Sequence, residues 1–244
     1  TTGTNVSRTY LIVNVTAVDA GGLANITIRL FNSTQTLINT SVSTSSSYYI
    51  NFSGLTTQGI YYFNSTATDY LNQQNSSIST STVTIDTTAP SAVAIVTPTA
   101  GFNTTNRTLT INATATDTYL SYINLAIYNS TGSIVNSTNA SSSAVNTLLT
   151  VGSDGTYTVN ATAYDYAGNT NTTGVGNVRI DLGSPGVTIV FPVNGGNYSS
   201  INLPFYFNVT LSEIGTARYS LTSGAINITM SSTNNINFNA TNSS

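Results

Sequence analysis

The strongest constraint on this chain is a stretch that it contains twice. From Gly155 to Asn171 it reads G-T-Y-T-V-N-A-T-A-Y-D-Y-A-G-N-T-N. Tyr157, Val159, Ala161 and Ala163 alternate with Thr158, Asn160, Thr162 and Tyr164, the period of an antiparallel strand with one buried and one wet face. Gly155 suits the corner before the strand, and Asp165 opens a turn whose Ala-Gly-Asn tolerates positive φ. Gly59, Tyr61, Asn64, Thr66, Ala67, Asp69 and Tyr70 repeat Gly155, Tyr157, Asn160, Thr162, Ala163, Asp165 and Tyr166 at an offset of about 96 residues. The chain is a tandem array.

A Gly-x-Tyr corner, a strand ending Ala-x-Asp-x-Ala-Gly-Asn and a following Ile-Asp-x-x-x-Pro junction resemble the immunoglobulin-like repeats of bacterial and archaeal surface proteins. Tyr157 stands two residues before Val159, and Tyr61 two before Phe63, where an antibody domain carries its second Cys after the tyrosine corner. The resemblance covers nearly the whole chain and implies all-β, tandem immunoglobulin-like sandwiches arranged end to end. It says little about a ligand, because such folds host many functions.

Other segments repeat in step. Alternating runs at Tyr10 to Asp19, Leu109 to Asp117 and Phe205 to Glu213 correspond to the family's strand B. Ile26, Ile28 and Leu30, paralleled by Ile123, Leu125 and Ile127, correspond to strand C, and a hairpin follows each. Tyr49 to Phe52 and Thr147 to Val151 fit strand E, and Thr82 to Asp86 and Asn177 to Asp181 fit strand G. Val93, Ile95, Val96 and Pro98 match Val187, Ile189, Val190 and Pro192 as strand A. Pro-marked junctions at Ala89-Pro90 and Ser184-Pro185 then divide the chain into residues 1–89, 90–184 and 185–244. Residues 1–9 are polar and weakly patterned, so the first repeat lacks an evident strand A, and the third lacks strands F and G. Open edges of this kind need covering. A longer repetitive chain is the expected cover, with strand exchange between subunits as the other reading.

Composition removes whole classes of function. Charged residues make up 5% of the chain and the net charge is −3, which leaves no electrostatic basis for binding nucleic acid or a polybasic membrane patch. Cys and His are absent and all five basic residues are Arg, so zinc sites, Ser-His or Cys nucleophiles and Schiff-base chemistry lack a required group. Paired carboxylates can hydrolyse glycosides, but here they recur on domain-end loops in every repeat. No catalytic residue or organic cofactor is expected. No apolar run approaches the roughly 20 residues of a helical membrane span.

With so little charge, the surface needs another source of solubility. About two thirds of the Asn residues open an Asn-x-Ser/Thr sequon, roughly twice the share that Ser/Thr content gives by chance. Asn14, Asn112 and Asn208 occupy one repeat position on the outward face of strand B, and Asn64 and Asn160 one on strand F. Asn25, Asn32, Asn39, Asn129 and Asn136 complete the set expected to carry glycan.

The acids also recur. Asp19, Asp117 and Glu213 share one position, Asp69 and Asp165 a second, and Asp86 and Asp181 a third. In an immunoglobulin-like sandwich strands B and F end at the pole facing the preceding domain, and strand G at the opposite pole. Asp86 is therefore expected beside Asp117 and Asp165, and Asp181 near Glu213. Such oxygen-rich sets suit calcium and are similar to cadherin-like interdomain sites. The alternative is that each Asp merely closes its own turn.

The expected protein is a non-enzymatic, N-glycosylated structural segment at the cell surface: a filament, surface layer or adhesin stalk. Its partners would be neighbouring repeats or further copies in a homopolymer. The alternative is a carbohydrate-binding or adhesion module that uses interdomain calcium and the exposed Tyr62, Tyr70, Tyr164 and Tyr166.

Overall fold

The computed structural model describes residues 3–76, 80–198 and 205–242, and among these the regular structure is entirely β. The first repeat contains β1 (Thr4–Val6), β2 (Tyr10–Thr16), β3 (Leu23–Phe31), β4 (Leu37–Ser43), β5 (Ser47–Ser53), β6 (Gly59–Asp69), β7 (Gln74–Ser76) and β8 (Ser81–Ile85). The second contains β9 (Ser91–Thr97), β10 (Asn103–Thr104), β11 (Thr108–Thr116), β12 (Leu120–Tyr128), β13 (Ile134–Ala140), β14 (Ala144–Thr150), β15 (Gly155–Asp165) and β16 (Thr170–Ile180). The third contains β17 (Val187–Phe191), β18 (Phe205–Leu211), β19 (Arg218–Tyr219), β20 (Ile228–Thr229), β21 (Ser231–Ser232) and β22 (Asn237–Asn242). The expected strands lie where the repeated alternation puts them.

In the second repeat one sheet runs β14-β11-β9 and the other β10-β16-β15-β12-β13. In immunoglobulin terms these are E-B-A and A′-G-F-C-C′, the two-sheet arrangement that the Gly-x-Tyr motif implies. Inward residues of both sheets, among them Ile111, Ile123, Leu125, Ile127, Val159 and Val178, are fully buried in one cluster. Each such side chain contributes about 2 kcal/mol by leaving water. The first repeat builds a separate core on Leu11, Val13, Ile26, Ile28, Leu30 and Phe52.

The tyrosine corner is present twice. Tyr157 Oη donates to the Ser153 carbonyl at 2.7 Å and Tyr61 Oη to the Thr57 carbonyl at 3.0 Å. Gly155 and Gly59 turn the chain into the strand at φ 156° and 127°, where an L side chain is strained.

Residues 1–9 depart from the sequence reading. Thr4–Val6 is a strand, paired in parallel with β8 so that Thr4 faces Val83 and Val6 faces Ile85. Its counterpart β10 pairs in parallel with β16. Strands this short are held by backbone bonds at a sheet edge, so Val6 is the only apolar signal they leave in the sequence.

By compactness the chain divides into two units, Thr1–Asp181 and Leu182–Ser244. The boundary expected between residues 89 and 90 lies inside the first unit, between two sandwiches with their own cores. The second unit has a β17-β18-β22-β21 sheet, a β19-β20 pair and a small core of Val209, Leu211, Ala217, Met230 and Phe238. Cis Thr97–Pro98 and Phe191–Pro192 close β9 and β17, the same repeat position.

Candidate functional site

Five residues separate β8 from β9, and both sandwiches of the first unit hold them. The Asp86 amide donates to the Val6 carbonyl at 3.0 Å, so β1 fixes the point where strand G leaves its sheet. Gln58 grips the next residue with both ends of its amide: Oε1 accepts from Thr87 N at 2.8 Å and Nε2 donates to Thr87 Oγ1 at 2.6 Å. From the second repeat, Asn169 Nδ2 donates to the Asp86 carbonyl at 2.9 Å and Asn171 Nδ2 to the Pro90 carbonyl at 2.9 Å. Ser7 Oγ donates to Asn169 Oδ1, a direct bond between the repeats. Pro90 itself is fully buried.

This linker carries Asp86 to the end of strands B and F of the next sandwich. One carboxylate oxygen from each of Asp86, Asp117 and Asp165 lies within 4.8 Å of the other two. Each of the three also accepts from a backbone amide of its own turn. Asp117 Oδ1 accepts from Tyr119 N at 2.6 Å, and Asp165 Oδ1 accepts from Ala167 N and Asn169 N at 2.8 Å each, so each closes its own turn. Asp86 Oδ1 accepts from Thr88 N at 3.1 Å. Asp86 Oδ2 is different: it is buried and has no hydrogen-bond partner, in a residue only 3% exposed.

A buried, unpartnered carboxylate oxygen is costly in the charged form. Burial pushes the Asp86 carboxyl above its ordinary range; the Thr88 amide pulls the other way, and Asp165 and Asp117 add to the rise. At an effective dielectric of about 20, two like charges this far apart repel by roughly 3 kcal/mol. Two oxygens on one calcium ion are at most about 5 Å apart, so the cluster has the size of a single coordination sphere. Of the second expected pair, Asp181 belongs to the first unit and forms an ion pair with Arg179 at 2.9 Å, while Glu213 belongs to the second unit, just after β18.

The first repeat carries the same acidic turns. Asp19 Oδ1 accepts from Gly21 N at 2.8 Å, and Asp69 Oδ1 from Leu71 N and Gln73 N at 2.8 Å each. Gln73 and Asn75 stand at the positions of Asn169 and Asn171.

The clamp formed by Gln58, Asn169, Asn171 and Ser7 is not evident in the sequence reading. There, Ala-Gly-Asn of the turn supplies positive φ, whereas Gly168 alone takes that role at φ 90° and Asn169 spends its amide on the linker. Asn169 and Asn171 lie four and six residues after Asp165, a spacing that carries no distinct signal in a chain this rich in Asn.

The expected glycan sites differ in environment. Asn14 and Asn39 are exposed; Asn25, Asn32, Asn64, Asn112, Asn129, Asn136, Asn160 and Asn208 are half-buried. Asn32 and Asn129 cap their hairpins, each Oδ1 accepting from the Thr two residues on and from a backbone N–H four residues on. Asn136 Nδ2 donates to the Thr150 carbonyl at 2.8 Å. Of the four outward tyrosines, Tyr164 stacks on Tyr122 at 4.6 Å and Tyr62 is half-buried, while Tyr70 and Tyr166 are 74% and 63% exposed.

No protein-family model and no curated protein matches the chain. Among solved structures it is similar to the fibronectin(III)-like modules of Clostridium thermocellum CbhA, at 17% identity over 72% of this chain and 87% of that one, with TM-score 0.45. It is also similar to a marsupial T cell receptor, at 10% identity over 89% and 82%, with TM-score 0.49. A third likeness is to a 1.5-MDa bacterial ice-binding adhesin, at 13% identity over 97% and 82%, with TM-score 0.34.

Proposed function

We propose that the chain is a non-enzymatic structural segment of an N-glycosylated surface protein, in which calcium on Asp86, Asp117 and Asp165 locks one sandwich to the next. The observation that carries this reading is the linker: both repeats grip it, and it delivers a buried carboxylate to two others. A spacer that transmits position along a surface needs a junction of this kind, whereas a catalyst needs a unique cleft. Hard oxygen ligands without His or Cys, in a flexible set of carboxylates, suit calcium better than a transition metal. The Ser-, Thr- and Asn-rich exterior with few charges suits an extracellular setting in which glycan supplies solubility.

Glycopeptide mapping of the protein from its native host tests the surface half of this proposal. Occupancy is expected first at exposed Asn14 and Asn39, then at Asn64, Asn112, Asn160 and Asn208, and least at Asn136, whose Nδ2 is engaged. Unmodified peptides at all of these positions would overturn the glycosylated reading.

A further inference from the structure

Asn171 belongs to the linker clamp and also opens a sequon, Asn171-Thr172-Thr173, near the start of β16. Its Nδ2, the atom that would carry a sugar, donates to the Pro90 carbonyl at 2.9 Å. The ladder fixes the direction of this side chain. Asn171 is paired with Ala163 and Thr173 with Ala161, and directly paired residues of neighbouring strands point to the same face of a sheet. Ala161 and Ala163 are fully buried, so Asn171 and Thr173 turn toward the inner face, whereas Thr172, opposite Thr162, turns outward.

Asn171 is exposed and Thr173 half-buried, so the sequon is within reach of solvent while its nitrogen is aimed at the linker. Asn112 stands differently: between fully buried Ile111 and Ala113 it faces away from the core. N-glycosyl transfer forms a bond from Nδ2 to the anomeric carbon of a sugar and breaks that carbon's bond to the phosphate of a lipid-linked donor. Nδ2 loses one proton, with no change of oxidation state. A pyranose ring then stands in place of that hydrogen, beside a carbonyl 2.9 Å from the nitrogen and a Pro90 side chain that is fully buried. The ring and the linker as it lies compete for the same space.

We propose that Asn171 is a glycan acceptor only while the linker is released from it, and that a sugar placed there keeps the linker released. One nitrogen serves either the junction or the glycan. A sugar at Asn171 is thus a covalent switch on the grip that the second repeat has on residues 86–90. The inference rests on the glycosylated reading given above and stands apart from the calcium reading, because Gln58, Asn169 and Asn171 hold the linker through amides.

The test uses the full chain made in a glycosylating host as wild type, Gln58→Ala and Thr173→Val. Gln58→Ala loosens the linker from the first repeat and leaves the sequon whole. Thr173→Val removes the sequon at nearly constant shape and leaves the Asn171 amide in place. Glycopeptide mapping is expected to show a severalfold larger modified fraction at Asn171 in Gln58→Ala than in wild type, with Asn112 unchanged as the reference. After separation of the glycoforms of one preparation, chains with sugar at Asn171 should exchange the amides of residues 87–89 about fivefold faster than chains without it, the factor that one lost hydrogen bond supplies. Thr173→Val should contain only the slowly exchanging form. Equal modification of Asn171 in wild type and Gln58→Ala, or equal exchange in modified and unmodified chains, would overturn the proposal and leave the glycosylated reading standing wherever Asn112 carries sugar. Unmodified peptides at every sequon would overturn that reading, and the proposal with it.

Discussion

The poles of the first and second repeats carry the same acidic turns but differ in what surrounds them among the described residues. Asp69 and Asp165 each close a turn through two backbone amides at 2.8 Å. Among the described residues, the second pole holds a third carboxylate, Asp86, together with the Asn169 and Asn171 amides that hold its linker. The acidic turn is therefore the common local device, and the three-carboxylate cluster is built by the junction. Asp86 caps its turn through Oδ1 and leaves Oδ2 without a partner, whereas Asp165 Oδ2 accepts from Asn169 Nδ2 at 2.6 Å.

The largest expected effect comes from removing calcium. Ion bound only by the folded unit at a hundredfold excess over Kd stabilises it by about 2.7 kcal/mol. In a unit of this size that is roughly 5–10 °C in the melting temperature of wild type between calcium and chelator. Asp165→Asn should abolish most of the difference and Asp69→Asn little of it, by calorimetry. Asp86→Asn sharpens the contrast, since its sign should reverse. In chelator it relieves a buried, unpartnered charge and raises the melting temperature; in calcium it removes a ligand and lowers it.

A smaller effect is expected for the clamp. Asn169→Ala removes the bonds to the Asp86 carbonyl and to Asp165 Oδ2, and should cost about 1–3 kcal/mol in urea unfolding. The counterpart Gln73→Ala, at an exposed position, should stay within about 0.5 kcal/mol. Smallest and most nearly equal are the two corners. Tyr157→Phe and Tyr61→Phe each lose one hydrogen bond to a carbonyl and should each cost about 1 kcal/mol in the same measurement. A large inequality there would mean that the two sandwiches differ in more than their poles.

The parts of this structure that repeat were legible in the sequence. Alternation around Ile26, Ile28 and Leu30 placed a strand because its buried face must be apolar, and the recurrence of Asp86, Asp117 and Asp165 placed three acids at one junction because strand direction decides the pole. What could not be read depends on backbone alone or on a single amide. β1 pairs in parallel through main-chain bonds with Val6 as its one apolar anchor, and Gln58, Asn169 and Asn171 act through side-chain amides that look like any other polar residue in a chain rich in them.

The most direct test of the junction is calcium titration of the full chain by isothermal calorimetry, beside Asp86→Asn and Asp69→Asn. The predicted result is saturable binding to wild type, one equivalent fewer in Asp86→Asn, and wild-type stoichiometry in Asp69→Asn. No binding to wild type, or unchanged stoichiometry in Asp86→Asn, would contradict a calcium-locked junction and leave the three carboxylates as turn caps.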